Sequence, residues 1–186
     1  MFNIVIPVRF GSTRLPGKAL LPIAGKPMVA WVWERAAQAG AEQVVVATDD
    51  PRIADEMTSR GALVAMTRVD HASGTDRLAE VVDQLGWRED AIVVNLQGDE
   101  PLMPVANIQR VEAVLSETAG ADMATLMEPL DPADAEQQSV VKVVASETGR
   151  ALYFSRSAIP FHREDGLPAP LFLSLIHISE PTRLVS

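Results

Sequence analysis

The stretch Phe2-Asn3-Ile4-Val5-Ile6-Pro7-Val8-Arg9-Phe10-Gly11-Ser12-Thr13-Arg14-Leu15-Pro16-Gly17-Lys18 decides the architecture. Its first five residues form a short apolar run, bounded by Pro and Gly, that reads as a buried strand. The loop from Pro7 to Lys18 carries two Gly, two hydroxyls and three cations, Arg9, Arg14 and Lys18, and no carboxylate. The whole chain has a net charge of −9, so a purely basic loop directly after the first strand calls for a function. Polyanion binding supplies one: glycines let backbone approach phosphate oxygens, and Arg and Lys neutralise them. The spacing is not that of an ordinary P-loop. Five residues separate Gly11 from Gly17 where four are required, and Ala19 stands where a magnesium-binding hydroxyl should follow Lys18. Pro16 also opposes a smooth helical entry before Gly17.

Outward from this loop, strands and helices alternate. Gly25-Lys26-Pro27 breaks the chain before a helix whose Met28, Val29, Val32 and Ala36 recur at helical spacing, ended by Gly40. Trp31 and Trp33 in that helix read as core packing rather than a stacking site. Gln43 to Thr48 is a second strand. Asp50 is a good N-cap and Pro51 a good first-turn residue for the next helix, which Gly61 closes. Ala62 to Met66 is a third strand. Ser73-Gly74-Thr75 leads into a helix carrying Leu78, Val81, Val82 and Leu85 on one face and closed by Gly86. Ala91 to Leu96 is a nearly all-apolar strand, as expected where both faces of a sheet are covered. Pro104 opens a helix with Ile108, Val111 and Leu115 inward. Asp122–Met127, Val140–Ala145 and Ala151–Ser155 read as later strands. The alternation indicates an α/β fold with a mostly parallel sheet, and ligands of such folds sit beyond the carboxyl ends of the strands.

With 186 residues, 47% of them hydrophobic and 22% charged, the chain can bury one real core and has a soluble globular composition. No apolar run reaches the length of a membrane span, and no secretory signal is visible. The absence of cysteine excludes disulfides, thiolate metal sites and thiolate nucleophiles, and fits a cytoplasmic protein. With 25 acidic residues against 16 basic, general nucleic-acid binding is disfavoured. An anionic ligand must be held by a local basic pocket.

A second chemical loop follows the fourth strand: Asn95-Leu96-Gln97-Gly98-Asp99-Glu100-Pro101. Gly98 and Pro101 bracket two carboxylates at a strand end. Magnesium takes hard oxygen ligands, commonly one or two carboxylates plus substrate phosphates, and Asp99 is placed to be such a ligand; an acidic turn is the bland alternative. A third loop, His71-Ala72-Ser73-Gly74-Thr75-Asp76-Arg77, reads first as a helix N-terminus: Ser73 or Thr75 caps, Asp76 suits the dipole and Arg77 faces solvent. A helix N-terminus is also an anion site. His71 has no evident paired acid or nucleophile and reads as a structural or surface histidine rather than a catalytic one.

The pattern R-x-x-S-T-R-L-P-G-K after a first strand, the Q-G-D-E-P loop, the H-x-S-G-T-D-R segment, Val140-Val141-Lys142-Val143-Val144 and Ala151 to Pro160 together resemble the 3-deoxy-manno-octulosonate (Kdo) cytidylyltransferases, a branch of the sugar nucleotidyltransferases. Ser139 stands where that family usually shows Asn. The resemblance implies a three-layer, Rossmann-like nucleotide-diphospho-sugar transferase fold, cytoplasmic, with CTP and Kdo as substrates, Mg2+ as cofactor, no nucleic acid or membrane insertion, and a homodimeric parent that activates Kdo for lipopolysaccharide synthesis. It implies nucleotide contacts from Pro7, Arg9, Ser12, Arg14, Lys18, Ser73, Gly74 and Arg77. It places Arg9, Lys18 and Asp99 in catalysis, with Asp99 on the metal, and Gln97 and Arg156 at the sugar acid, whose carboxylate the Arg156 fork suits. A transferase for another sugar acid such as neuraminate, or a non-catalytic nucleotide-binding module, are the alternatives.

The resemblance runs from Met1 to about Arg163. Residues 1–170 are expected to form the nucleotidyltransferase domain, truncated, so the sheet is expected to be incomplete at the C-terminus. Residues 171–186 look non-native, similar to a translated cloning adaptor, and are set aside from the fold. The family's later segments, with a second magnesium-binding Asp and a sugar-binding Tyr/Arg strand, are missing, so impaired activity is expected of this chain.

Overall fold

A computed structural model describes residues 1–11, 15–160 and 172–179, with side chains for all of these but 132 and 173–179. It forms two compact units, Met1–Ala124 with His177–Ser186, and Thr125–Ile176.

The first unit begins with β1 (Phe2–Val8), whose Ile4, Val5 and Ile6 have no exposed surface. Burial on both faces explains why it shows no alternation. After the basic loop comes a 3-10 turn, Lys18–Leu20, and a small antiparallel hairpin of β2 (Pro22–Ile23) and β3 (Lys26–Pro27). Ala24 and Gly25 turn this hairpin with φ of 49° and 82°, the left-handed pair that a two-residue hairpin loop needs. Then follow α1 (Met28–Ala37), β4 (Val44–Thr48), α2 (Pro51–Ser59), β5 (Leu63–Met66), α3 (Gly74–Leu85), β6 (Ile92–Asn95) and α4 (Val105–Glu117). Each lies within a residue or two of its expected place, because each is bounded by a cap or breaker. Asp50 caps α2 by accepting from Arg52 N, with Pro51 in the first turn. Ser73 and Asp76 form a capping box on α3, and Gly86 ends it in the left-handed region.

The strands order as β5-β4-β1-β6, all parallel. The chain steps outward from β1 to β4 to β5, then returns to the other side of β1 to lay down β6. Val5 pairs Val45 on one side and Asn95 on the other. The reversal makes the carboxyl ends of β1 and β6 a topological switch point, where the loops diverge and leave a crevice. Val5, Val45, Ala47, Ala65 and Val93 of the sheet pack with Leu78 and Val81 of α3, and Ile108, Val111 and Leu115 of α4 are buried as expected. Ser179 of β10 (Phe172–Ser179) pairs antiparallel with Val93.

The second unit holds most of β7 (Met123–Pro129), then β8 (Lys142–Ala145) and β9 (Ala151–Ser155) as an antiparallel hairpin, with Phe172 and Leu173 of β10 against Val143 and Lys142. Leu130 and Ala135, with Val140, form its small core. β10 lies inside the segment that the sequence sets aside; its run of Phe, Leu and Ile residues has enough β-propensity to pair. Among the described residues no helix is long and apolar enough to cross a membrane.

Candidate functional site

The loops after β1 and β6 meet at the switch point. Lys18 Nζ lies 2.9 Å from Asp99 Oδ2, both side chains about half exposed at 42% and 53%. These two residues stand 81 positions apart, and the sheet order alone brings them together. Gly98 makes the approach possible: a Cβ there would lie 2.8 Å from Val8 Cγ2 and 3.2 Å from the Pro7 carbonyl oxygen. The third loop reaches the same strand end. Gly74, at the start of α3, would place a Cβ 3.9 Å from Pro7 Cγ. Arg9 Nη2 donates to the carbonyls of His71, at 2.7 Å, and Ser73, at 3.4 Å. Pro7, Arg9, Lys18, Ser73, Gly74 and Asp99 therefore share one end of one sheet. Gln97 stands in the same loop as Asp99, and its Nε2 donates to Asn95 Oδ1 at 3.3 Å. Ser12 and Arg14 lie outside the described residues.

Three expectations change. Arg77 is not solvent-facing and does not reach the crevice: it is fully buried, pairs with Asp49 Oδ2 at 2.8 Å and donates to Thr67 Oγ1. It ties α3 to the ends of β4 and β5 instead of presenting its guanidinium to a ligand. His71 does have an acid partner, since its Nε2 bonds Glu80 Oε2 inside the fold. Burial alone would raise the Glu80 pKa, but the bonds from His71 and from the Arg68 N–H outweigh it and hold Glu80 below the usual range. The sequence hides this pair because eight residues and a helix cap separate its members. Trp31 is likewise not a core residue: it stacks under Lys26 at 3.4 Å and donates from Nε1 to the Ile23 carbonyl, fixing the β2–β3 hairpin.

Ser73 performs the expected capping. Its hydroxyl accepts from Asp76 N at 3.1 Å while Asp76 Oδ2 accepts from both Ser73 N and Oγ. The Ser73 hydroxyl bond, reinforced by its N–H, holds the Asp76 carboxyl below the usual aspartate range. A carboxylate already sits at the positive end of α3, so anion recognition here falls to side chains more than to the helix dipole.

Arg156 belongs to the second unit. Its Nη1 donates to the Gln138 carbonyl at 2.7 Å, and with Glu136, Gln138, Ser157 and Ala158 it lines a cleft of about 310 Å³. Beside it, Lys142 is fully buried and donates from Nζ to the carbonyls of Gln137, Val140 and Arg156. An ammonium with three donors and three carbonyl acceptors is saturated. Nothing in the apolar run around Lys142 announces that cage.

The described residues contain no group of three or more His, Asp or Glu that could hold a metal by themselves. Asp99 nevertheless fits a magnesium ion of the kind completed by phosphate oxygens. It is accessible, and a carboxylate has about four lone-pair sites, so a contact at Oδ2 does not exhaust it.

The comparisons with known proteins give the family. A family model described as Cytidylyltransferase matches residues 3–181. The chain belongs to the cytidylyltransferase family. Among its relatives, the 3-deoxy-manno-octulosonate cytidylyltransferase of Pseudomonas fluorescens is 55% identical over 164 residues, which are 88% of this chain and 65% of that one. The Methylococcus capsulatus protein of the same name is 50% identical over 175 residues, 91% of this chain and 68% of the other. The solved structure of CMP:2-keto-3-deoxy-manno-octonic acid synthetase complexed with CTP superposes with a TM-score of 0.88 at 43% identity, covering 97% of this chain and 75% of that chain. The chain thus spans about two thirds of the length of these two sequence relatives. The likeness to the solved structure supports the Rossmann-like α/β fold expected from the strand–helix alternation.

Proposed function

We propose that this chain carries the nucleotide half of a cytidylyltransferase that transfers CMP from CTP to the anomeric hydroxyl of Kdo and releases diphosphate. The observation that carries the reading is the Lys18–Asp99 pair across the β1/β6 crevice, in a chain of this family. In the reaction the anomeric oxygen attacks the α-phosphorus. A new O–P bond forms, the bond from that phosphorus to the bridging oxygen breaks, diphosphate departs with the bonding pair, and the hydroxyl proton is lost to solvent. Negative charge builds on the phosphoryl oxygens, so fixed cations aimed at them lower the barrier.

Lys18 is the central cation. A half-exposed ammonium tethered by one carboxylate retains donors for phosphate. Arg9 clamps the loop before α3 to the end of β1, and its exposed guanidinium adds charge at the same place. Asp99 would hold Mg2+, which when bound neutralises phosphate charge. Gln97 and, in the second unit, Arg156 are proposed for the sugar acid, Arg156 through its carboxylate. A cysteine-free chain with this chemistry fits the cytoplasm.

The test is diphosphate release from CTP with Kdo and Mg2+, against UTP, ATP, GTP and other sugar acids. CTP and Kdo should be preferred. Lys18→Ala and Asp99→Ala should each lower the turnover that the chain shows, itself expected to be impaired, by about 100-fold or more, the scale of removing one charge-stabilising group. Near-normal turnover in either variant removes that residue from the mechanism.

A further inference from the structure

The basic loop is closed at its neck by a stack that the catalytic reading does not use. Gly17 N donates to the Phe10 carbonyl at 2.8 Å. Gly17 is left-handed, with φ of 70°, and a Cβ there would stand 3.0 Å from both Cε2 and Cζ of Phe10. The Phe10 ring therefore lies directly against the residue that aims Lys18. Over that ring sits Arg52, its Cζ 3.3 Å from the centroid. Arg52 is itself fixed: Asp50 Oδ1 accepts from its Nε at 2.9 Å, and Oδ2 from its Nη2 at 2.6 Å. Asp50 is in turn the N-cap of α2, immediately beyond β4. A rigid series thus runs from the end of β4 through Asp50, Arg52 and Phe10 to Gly17, and ends at Lys18 facing Asp99.

We infer that Phe10 and Arg52 are positioning residues, which hold Gly17 so that the Lys18 ammonium is aimed into the crevice. The guanidinium is planar, so it covers the ring face while its edge stays paired to Asp50. A cation over an aromatic ring contributes most where it is partly desolvated. Phe10 carries no charge and no hydrogen-bonding side chain, so any effect it has on a phosphate ligand must pass through the groups it positions. The assignment rests on the nucleotide role proposed for Lys18, and the test separates the two.

CTP affinity of the full chain is measured by titration calorimetry for the wild type, Lys18→Met, Phe10→Ala and the double variant, with Phe10→Tyr and Arg52→Met alongside and thermal melts as a folding check. Lys18→Met should weaken CTP at least tenfold, the scale of a charge-assisted hydrogen bond. Phe10→Ala and Arg52→Met should each weaken it about three- to tenfold, the scale of a cation–π contact, and Phe10→Tyr should restore wild-type affinity. In the Lys18→Met background Phe10→Ala should add nothing. If Lys18→Met leaves CTP affinity unchanged, or the wild type binds no CTP, the site reading fails. If Lys18→Met weakens binding but the Phe10→Ala effect is absent or persists in full without Lys18, the positioning role is overturned. Should Phe10→Ala fail to fold, the half-exposed Arg52→Met, which removes the clamp from outside, decides by the same criterion.

Discussion

Replacing Arg77 by Met tests the correction that the structure makes to this residue. Arg77 has no exposed side-chain surface, and that of Asp49 is 13% exposed. Met keeps much of the volume and removes the charge. Asp49 is then left as a nearly buried carboxylate without its cation, and Thr67, also buried, loses a donor. Breaking one side of a buried pair costs about 3–5 kcal/mol, most of it the penalty of the stranded charge. For a domain whose total stability is about 5–15 kcal/mol, that is a large fraction. At roughly 2–4 °C per kcal/mol for a chain of this size, the melting temperature should fall by about 6–20 °C. The assay is thermal and urea unfolding followed by circular dichroism. The double variant Arg77→Met with Asp49→Leu should regain much of the loss, because no unpaired charge remains. A single variant that melts within about 2 °C of the wild type, or a double variant no more stable than the single, would refute the structural role. Arg77 would then return to consideration as a nucleotide ligand.

Gly98→Ala should push the β6 loop away from Val8, costing about 1–3 kcal/mol as overpacking does, and should weaken CTP binding measured on the same protein by parting Lys18 from Asp99. Asp76 gives a pH dependence. Its folded pKa is lowered from the ordinary 3.8, so its contribution is present above that value and is lost as pH falls through the lower folded one. Acid unfolding of the wild type should steepen below about pH 4, and Asp76→Asn should flatten that limb; an unchanged acid limb would exclude the capping box as its source. Lys142→Met should orphan three carbonyls in the second unit at roughly 1–3 kcal/mol for each left unsatisfied, read as faster amide exchange in β8 and β9.

Much of the fold was legible from local chemistry. The caps Asp50 and Ser73, the stops Gly61 and Gly86, and the apolar runs of β1, β4 and β6 bound their elements by interactions within a few residues, which a sequence displays directly. Lys18 and Asp99 were legible as candidates for the same reason: each stands in a loop whose composition is odd for its surroundings. Arg77 and Trp31 were misread, and the acid partner of His71 was missed, because the partners concerned, Asp49, the Lys26 ammonium with the Ile23 carbonyl, and Glu80, are supplied by folding. A buried arginine and an exposed one have the same local neighbours in sequence.

The sequence by itself determined the alternation of strands and helices, the cluster of cations in the first loop and the carboxylate after the fourth strand, since these depend on periodicity, breakers and side-chain charge. Only the tertiary structure decided that β6 returns beside β1 rather than beyond β5. That choice is made by long-range packing on both faces of the sheet. It turns two loops 81 residues apart into one site, and it turns Phe10 and Arg52 from incidental neighbours of that site into the stack that holds it.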